Sequence, residues 1–129
     1  MTSFTVHATR YTAAFGAGRV MNAQTVRSQL LGGIIWGIGM ALAEATFVDG
    51  HFGRMVNTDL AEYHVPTCAD VPEIGAFFVE ERDELVNKVG AKGVGEIGTV
   101  GAAAAIANAV YHATGVRVRE LPITPDKLL

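Results

Sequence analysis

The stretch GAKGVGEIG, residues 90–98, runs straight into TVGAAAAIANAV. Four glycines surround Lys92 and Glu96, and a helix is predicted where the glycines stop, over about Gly98 to Thr114, with Gly115 at its C′ position. A glycine turn that opens a helix exposes backbone N–H groups to an anionic or oxo ligand. Lys92 adds positive charge to such a turn, and a glutamate on the rigid helix start has the placement of a general base. A plainer reading stands beside it: Glu96 lies in the first helical turn and complements the helix dipole. That reading leaves Lys92 without a role. GVGEIG at 93–98 also matches GxGxxG, but a dinucleotide fold needs a strand immediately before the loop. The preceding DELVNKVGAK is charged and short of β-formers, and no GK[ST] supports a P-loop.

Outward from the loop, the 129 residues suffice for one modest domain, yet half are hydrophobic and only 18% are charged. A mean hydropathy of +0.29 is high for so small a body and implies surface that another domain or chain covers. The net charge of −3, without a basic run, excludes the electrostatic footprint of a nucleic-acid binder. One cysteine, Cys68, excludes an intrachain disulfide framework, and four scattered histidines give no zinc-ligand spacing, so no protein-ligated metal is expected. The opening MTSFTVHATRYTAAF has no apolar signal-peptide core, and a cytoplasmic location is expected.

The pattern is mixed α+β. SFTVHATRYTAAF (3–15) reads as a strand that ends in the turn GAG, and IGAFFVEE (74–81) as a second. VRVREL (116–121) reads as a third, shorter strand. Asn22 is a candidate N-cap for a long helix without proline. Leu30 to Ala43 is apolar or glycine throughout, but these fourteen residues fall short of the ~20 that a membrane span needs. A helix buried on all sides is expected instead. Its glycines at 32, 33, 37 and 39 each cost roughly 1 kcal/mol relative to alanine, so a backbone or ligand is expected to approach closely. The acidic run Glu80, Glu81, Asp83, Glu84 reads as a solvated strand end.

GAKGVGEIG with its Ala-rich helix closely resembles the C-terminal segment of the molybdenum hydroxylases, the xanthine dehydrogenase/aldehyde oxidase family. The resemblance lies with the molybdopterin-binding subunit and covers essentially the whole chain. GRVMNAQTVRSQLLGGIIWGIGMALAE is similar to the family's glycine-rich helix, NTDLAEYHVPTCADVPEI to the segment after it, and VRVRELPITPDKLL to its ending. It implies that residues 1–129 form one C-terminal segment of a molybdopterin-binding domain, with a molybdenum–molybdopterin cofactor bound in the full enzyme. Glu96 then matches the general-base glutamate, and Lys92, Gly93, Val94 and Gly95 form the loop lying against the cofactor. Gln29 in SQLLGG matches the glutamine whose amide hydrogen-bonds the cofactor, although it also suits the start of a buried helix. The implied reaction is hydroxylation of aldehydes or N-heterocycles, with iron–sulfur and FAD subunits or domains as partners. The segment alone is expected to be inactive. Three departures stand out: GAGRVMNA where the family often has DCGRVINP, SQLLGG where it often has GQIEGG, and a length several times shorter. The alternative is a non-catalytic module that self-associates as a homo-oligomer or complements a partner subunit.

Overall fold

The computed structural model describes residues 5–129. In chain order the elements are β1 (Arg10–Gly16), α1 (Ala23–Leu42), β2 (Val48–Asp49), β3 (Arg54–Met55), β4 (Glu73–Val79), α2 (Ile97–Val100) and α3 (Ala102–Thr114), with a closing 3-10 turn at Pro125–Leu128. Mixed α+β is the observed class. The first expected strand begins later than predicted, at Arg10; its first two expected residues, 3 and 4, lie outside the described ones.

β1 and β4 pair in parallel, with Arg10 opposite Glu73 and Gly16 opposite Val79. No third strand joins them among the described residues. Parallel strands ordinarily lie inside larger sheets covered on both faces, and two strands alone are marginal in water. Phe77, Phe78 and Val79 of β4 are correspondingly exposed.

α1 starts where Asn22 accepts a hydrogen bond from the Thr25 amide at 3.0 Å. Leu30, Ile34, Ile38 and Ala41 form its buried side and meet Ala76, Ile106, Val110 and Ile123 in the core. The opposite side, Ser28, Gly32, Trp36 and Met40 at every fourth position, is exposed. Burial on all sides is therefore corrected: this chain covers one side of α1 and leaves Trp36 56% exposed. The close approach expected at its glycines comes from within the chain: from backbone at Gly33, from Ala102 and backbone at Gly37, and from the Glu44 and Pro66 side chains at Gly39. A Cβ on Gly98 would stand 2.7 Å from the Leu30 carbonyl oxygen, and one on Gly33 would stand 3.0 Å from the Gly98 Cα. Gly37 leaves room for Ala102 in the same way, and the Thr99 hydroxyl donates to the Gly33 carbonyl at 3.1 Å. Of the four helix glycines only Gly32 faces open space.

The Ala-rich helix is interrupted where one helix was expected. Gly101, with φ −89° and ψ −12°, separates α2 from α3 without leaving the right-handed region. Gly115 ends α3 at φ +77°, as its position predicts. VRVREL forms no strand. Its alternation does turn Val116 and Val118 toward cover, but a strand needs a neighbour and none lies beside it among the described residues. Arg117 instead stacks over the Tyr111 ring at 3.8 Å and donates to Asn108 at 2.7 Å. The tail is anchored by Ile123, buried, whose amide donates to the Ala41 carbonyl at 2.7 Å.

The chain exposes 9228 Å². A compact monomer of its 13.6 kDa would expose about 6,600 Å², so the excess is roughly 40%. Among the exposed residues are Phe47, Phe52, Leu60, Leu85 and Val100. The described residues leave this apolar surface uncovered.

Candidate functional site

The glycine loop has two halves. Residues 90–92 are held. The Gly90 carbonyl accepts from the Arg19 amide at 2.7 Å, the Ala91 carbonyl from the Asn87 side chain at 2.8 Å, and the Lys92 amide donates to the Ala17 carbonyl at 3.2 Å. The Lys92 ammonium pairs with Glu81 and, at 3.1 Å, with Asp83. Glu81 also accepts from the Gly18 amide at 3.2 Å. Hydrogen bonds from Lys92, then from the Gly18 amide at Glu81 and the Leu85 amide at Asp83, hold both carboxyls below their ordinary values. The same two carboxylates raise Lys92. Two expectations change here. Half of the acidic run is a clamp on Lys92 rather than a solvated strand end, and the charge of Lys92 is balanced within the chain rather than offered to an anion.

Residues 93–96 are free by contrast. Among the described residues, none of the N–H groups from Gly93 to Glu96 donates a hydrogen bond within the chain. A Cβ on Gly93 or Gly95 would meet nothing within 4 Å, as at Gly32 of α1. Glu96 is exposed at the N-cap position of α2, and its carboxylate makes no capping bond. It is thus not spent on the helix start. Two bonds fix this half among the described residues: the Gln29 amide nitrogen donates to the Gly95 carbonyl at 3.1 Å across 66 residues of sequence, and the Thr99 amide donates to the Glu96 carbonyl at 2.9 Å. Gln29 and the loop motif, read separately in the sequence, are brought together. Behind them the Gly33–Gly98 contact seats α2 against α1.

Free amides, uncovered glycines and one unpaired carboxylate form an open cradle with donors for an oxygen-rich, anionic group and an acceptor for a proton. This donor set fits a molybdopterin cofactor. The cradle has only one wall. Hollows of about 510 and 350 Å³ lie elsewhere, between residues 5–12 and α3 and beside His64 and Pro66, and neither includes Gln29 or residues 93–96. No strand precedes the loop at residues 83–89, which removes the dinucleotide reading.

Sequence reasoning missed the Glu81–Lys92–Asp83 clamp. Its signal was present, a lysine in a glycine loop eight residues after the end of an acidic run, but no helical or strand period links the two.

Residues 2–72 match the molybdopterin cofactor-binding domain family. The molybdenum-binding subunit PaoC of an Escherichia coli aldehyde oxidoreductase is 49% identical over 96% of this chain and 17% of its own length. The putative xanthine dehydrogenase molybdenum-binding subunit XdhA of the same organism is 39% identical over 87% of this chain and 15% of its own. Among solved structures, quinoline 2-oxidoreductase from Pseudomonas putida 86 superposes with a TM-score of 0.84 at 35% identity, over 94% of this chain and 16% of that one. The chain thus spans about one sixth of the length of the curated relatives it matches. With sequence and fold in agreement along nearly its whole length, the chain belongs to the molybdopterin cofactor-binding family of the molybdenum hydroxylases, the xanthine dehydrogenase and aldehyde oxidoreductase group.

Proposed function

We propose that this chain contributes the general base and part of the cofactor cradle to a molybdenum hydroxylase acting on aldehydes or N-heterocycles. The carrying observation is the Gln29–Gly95 hydrogen bond, which sets two cofactor-facing motifs side by side next to the unpaired Glu96 carboxylate. When bound, the molybdenum–molybdopterin cofactor supplies the oxygen that enters the substrate and takes up the two electrons removed. Glu96 accepts the proton that must leave the attacking oxygen, which turns a weak nucleophile into a strong one. The amides of Gly93, Val94, Gly95 and Glu96 would donate to an oxygen-rich cofactor, and the bare glycines would let it approach the backbone. Gln29 keeps the Gly95 peptide in place.

The 129 residues act as one C-terminal segment of a larger domain. The open edges of the β1–β4 pair, the bare side of α1 and the excess exposed area all support this. Further molybdopterin-binding segments would supply the missing walls, and iron–sulfur and flavin subunits would carry electrons away. A relative from Paenarthrobacter nicotinovorans is named as the gamma subunit of a 6-hydroxypseudooxynicotine dehydrogenase complex, which is in keeping with a multi-subunit assembly. No helix among the described residues is long and apolar enough to cross a membrane, and the reading includes a cytoplasmic location. The same apolar surface favours a second reading, a self-associating module without a cofactor.

The test is Glu96→Gln in the assembled enzyme. The expected result is a kcat lower by about 10²- to 10⁴-fold at unchanged molybdenum content. An unchanged kcat would remove Glu96 from the reaction. Native mass with elemental analysis of the isolated chain addresses the second reading, which requires a stable, metal-free oligomer.

A further inference from the structure

The clamp on Lys92 ends one residue before the free half of the loop begins. Glu81 is its centre: one carboxylate oxygen accepts from the Gly18 amide at 3.2 Å and the other receives the Lys92 ammonium. Asp83 holds the same ammonium at 3.1 Å, and its own carboxylate is fixed by the amides of Leu85 and Val86 at 3.0 and 3.2 Å. The turn after β1 is shaped to receive this arrangement. Gly18 has φ +59°, and a Cβ there would run into the Gly90 carbonyl and lie 3.2 Å from the Lys92 Cγ. A Cβ on Gly16 would stand 3.0 Å from the Glu81 carboxylate. Two segments of chain, 16–19 and 81–87, thus converge on residues 90–92.

We propose that Glu81 is a positioning residue: through Lys92 it fixes the root of the glycine loop and thereby the place of the Glu96 carboxylate. This rests on the reading of Glu96 as the base. Between the clamp at Lys92 and the cap position at Glu96 lie only Gly93, Val94 and Gly95, two of them glycines on which a Cβ would meet nothing within 4 Å. Such a stretch transmits position only if both ends are tied. Gln29 and α2 tie the far end, and Glu81 ties the near end. A carboxylate displaced by about 1 Å from its proton donor loses on the order of 10²-fold in rate, so an anchor outside the cradle controls the chemistry inside it.

The experiment compares Glu81→Gln, Lys92→Met, Lys92→Arg and Glu96→Gln in the assembled enzyme. It reads kcat and KM, molybdenum content, and amide exchange over residues 90–96. Glu81→Gln keeps the side-chain shape and guards against a Lys92→Met protein that fails to fold. The proposal expects kcat lower by about 10- to 100-fold in Glu81→Gln and Lys92→Met, with KM and molybdenum content unchanged and faster exchange at residues 90–92. Lys92→Arg restores most of the rate, and adding Glu81→Gln to Glu96→Gln lowers kcat no further, because the anchor acts through the base. Unchanged kcat or unchanged exchange in Glu81→Gln, beside a collapsed Glu96→Gln, overturns the positioning role and leaves the base in place. An unaffected Glu96→Gln overturns both.

Discussion

On one side of Gly93 the loop is held at every residue, by Arg19 at Gly90, Asn87 at Ala91, and Ala17, Glu81 and Asp83 at Lys92. On the other side, among the described residues, four successive amides and one carboxylate have no partner, and only the Gly95 and Glu96 carbonyls are bonded, by Gln29 and by the Thr99 amide. The halves are adjacent and both carry glycine, so the presence of glycine does not separate them. Burial of a polar group without a partner is costly, and a folded chain normally satisfies its backbone. The held half is satisfied internally. The free half is satisfied by water in this chain alone, and it is the half to which a ligand can come without displacing a protein contact.

The largest effect that sharpens this contrast lies behind the loop. Gly98→Ala places a Cβ 2.7 Å from the Leu30 carbonyl oxygen, a backbone atom that cannot turn aside. Forcing the α1–α2 contact apart is expected to cost about 1–3 kcal/mol in urea unfolding. Gly95→Ala meets nothing within 4 Å and should leave stability nearly unchanged while hindering the cofactor. Equal losses for the two would erase the distinction between packed and open glycines.

Gln29→Leu removes the side-chain bond to the free half. A single hydrogen bond is worth about 0.5–1.5 kcal/mol net, and this exposed one belongs near the lower end. The expected readout is faster amide exchange at Thr99, whose amide donates to the Glu96 carbonyl, with no change at Gly90 and Lys92. Changes at 90–92 would show that the halves are not independent.

Gly32→Ala adds a good helix former to the bare side of α1. If that side met only water, stability would rise by roughly 0.5–1 kcal/mol. In the assembled enzyme the gain should vanish or reverse, because a covering segment or the cofactor meets the new methyl. Thermal unfolding of assembled and separated forms distinguishes the cases.

The smallest effect is that of pH on the clamp, whose charges are partly exposed and screened. Glu81 and Asp83 have folded-state pKa values below their ordinary 4.5 and 3.8. A depressed carboxylate stabilises the folded state above its unfolded pKa, and that contribution is lost as pH falls through the folded value. Lys92, raised above 10.5, loses its contribution only as pH rises beyond that. Protection of the Arg19 amide should therefore be flat through neutral pH and weaken only below the ordinary carboxylate range. Weakening near pH 6 would implicate other groups.

How much of this was legible in the sequence follows the range of each interaction. Local signals held: Asn22 caps α1, Gly115 ends α3, and the apolar run at 74–79 is a strand. Gln29 and the GVGE loop were legible as separate motifs through family resemblance. Their contact was not, because it spans 66 residues and no period records it. The helix glycines announced a close approach without naming the neighbour, which for Gly33 is Gly98. VRVREL shows the limit from the other direction: its alternation is real, with Val118 packed on the core, but a pleat becomes a strand only beside another strand. The bare side of α1 was misread because an apolar composition records cover without saying which part of a protein provides it.

Amide exchange across residues 90–96 of the enzyme, with and without its molybdenum–molybdopterin cofactor, tests the division of the loop most directly. Slow exchange is predicted at Gly90 and Lys92 in both forms, and at 93–96 fast exchange without the cofactor that becomes slow when it is bound. Rates at 93–96 that do not respond to the cofactor would contradict that division.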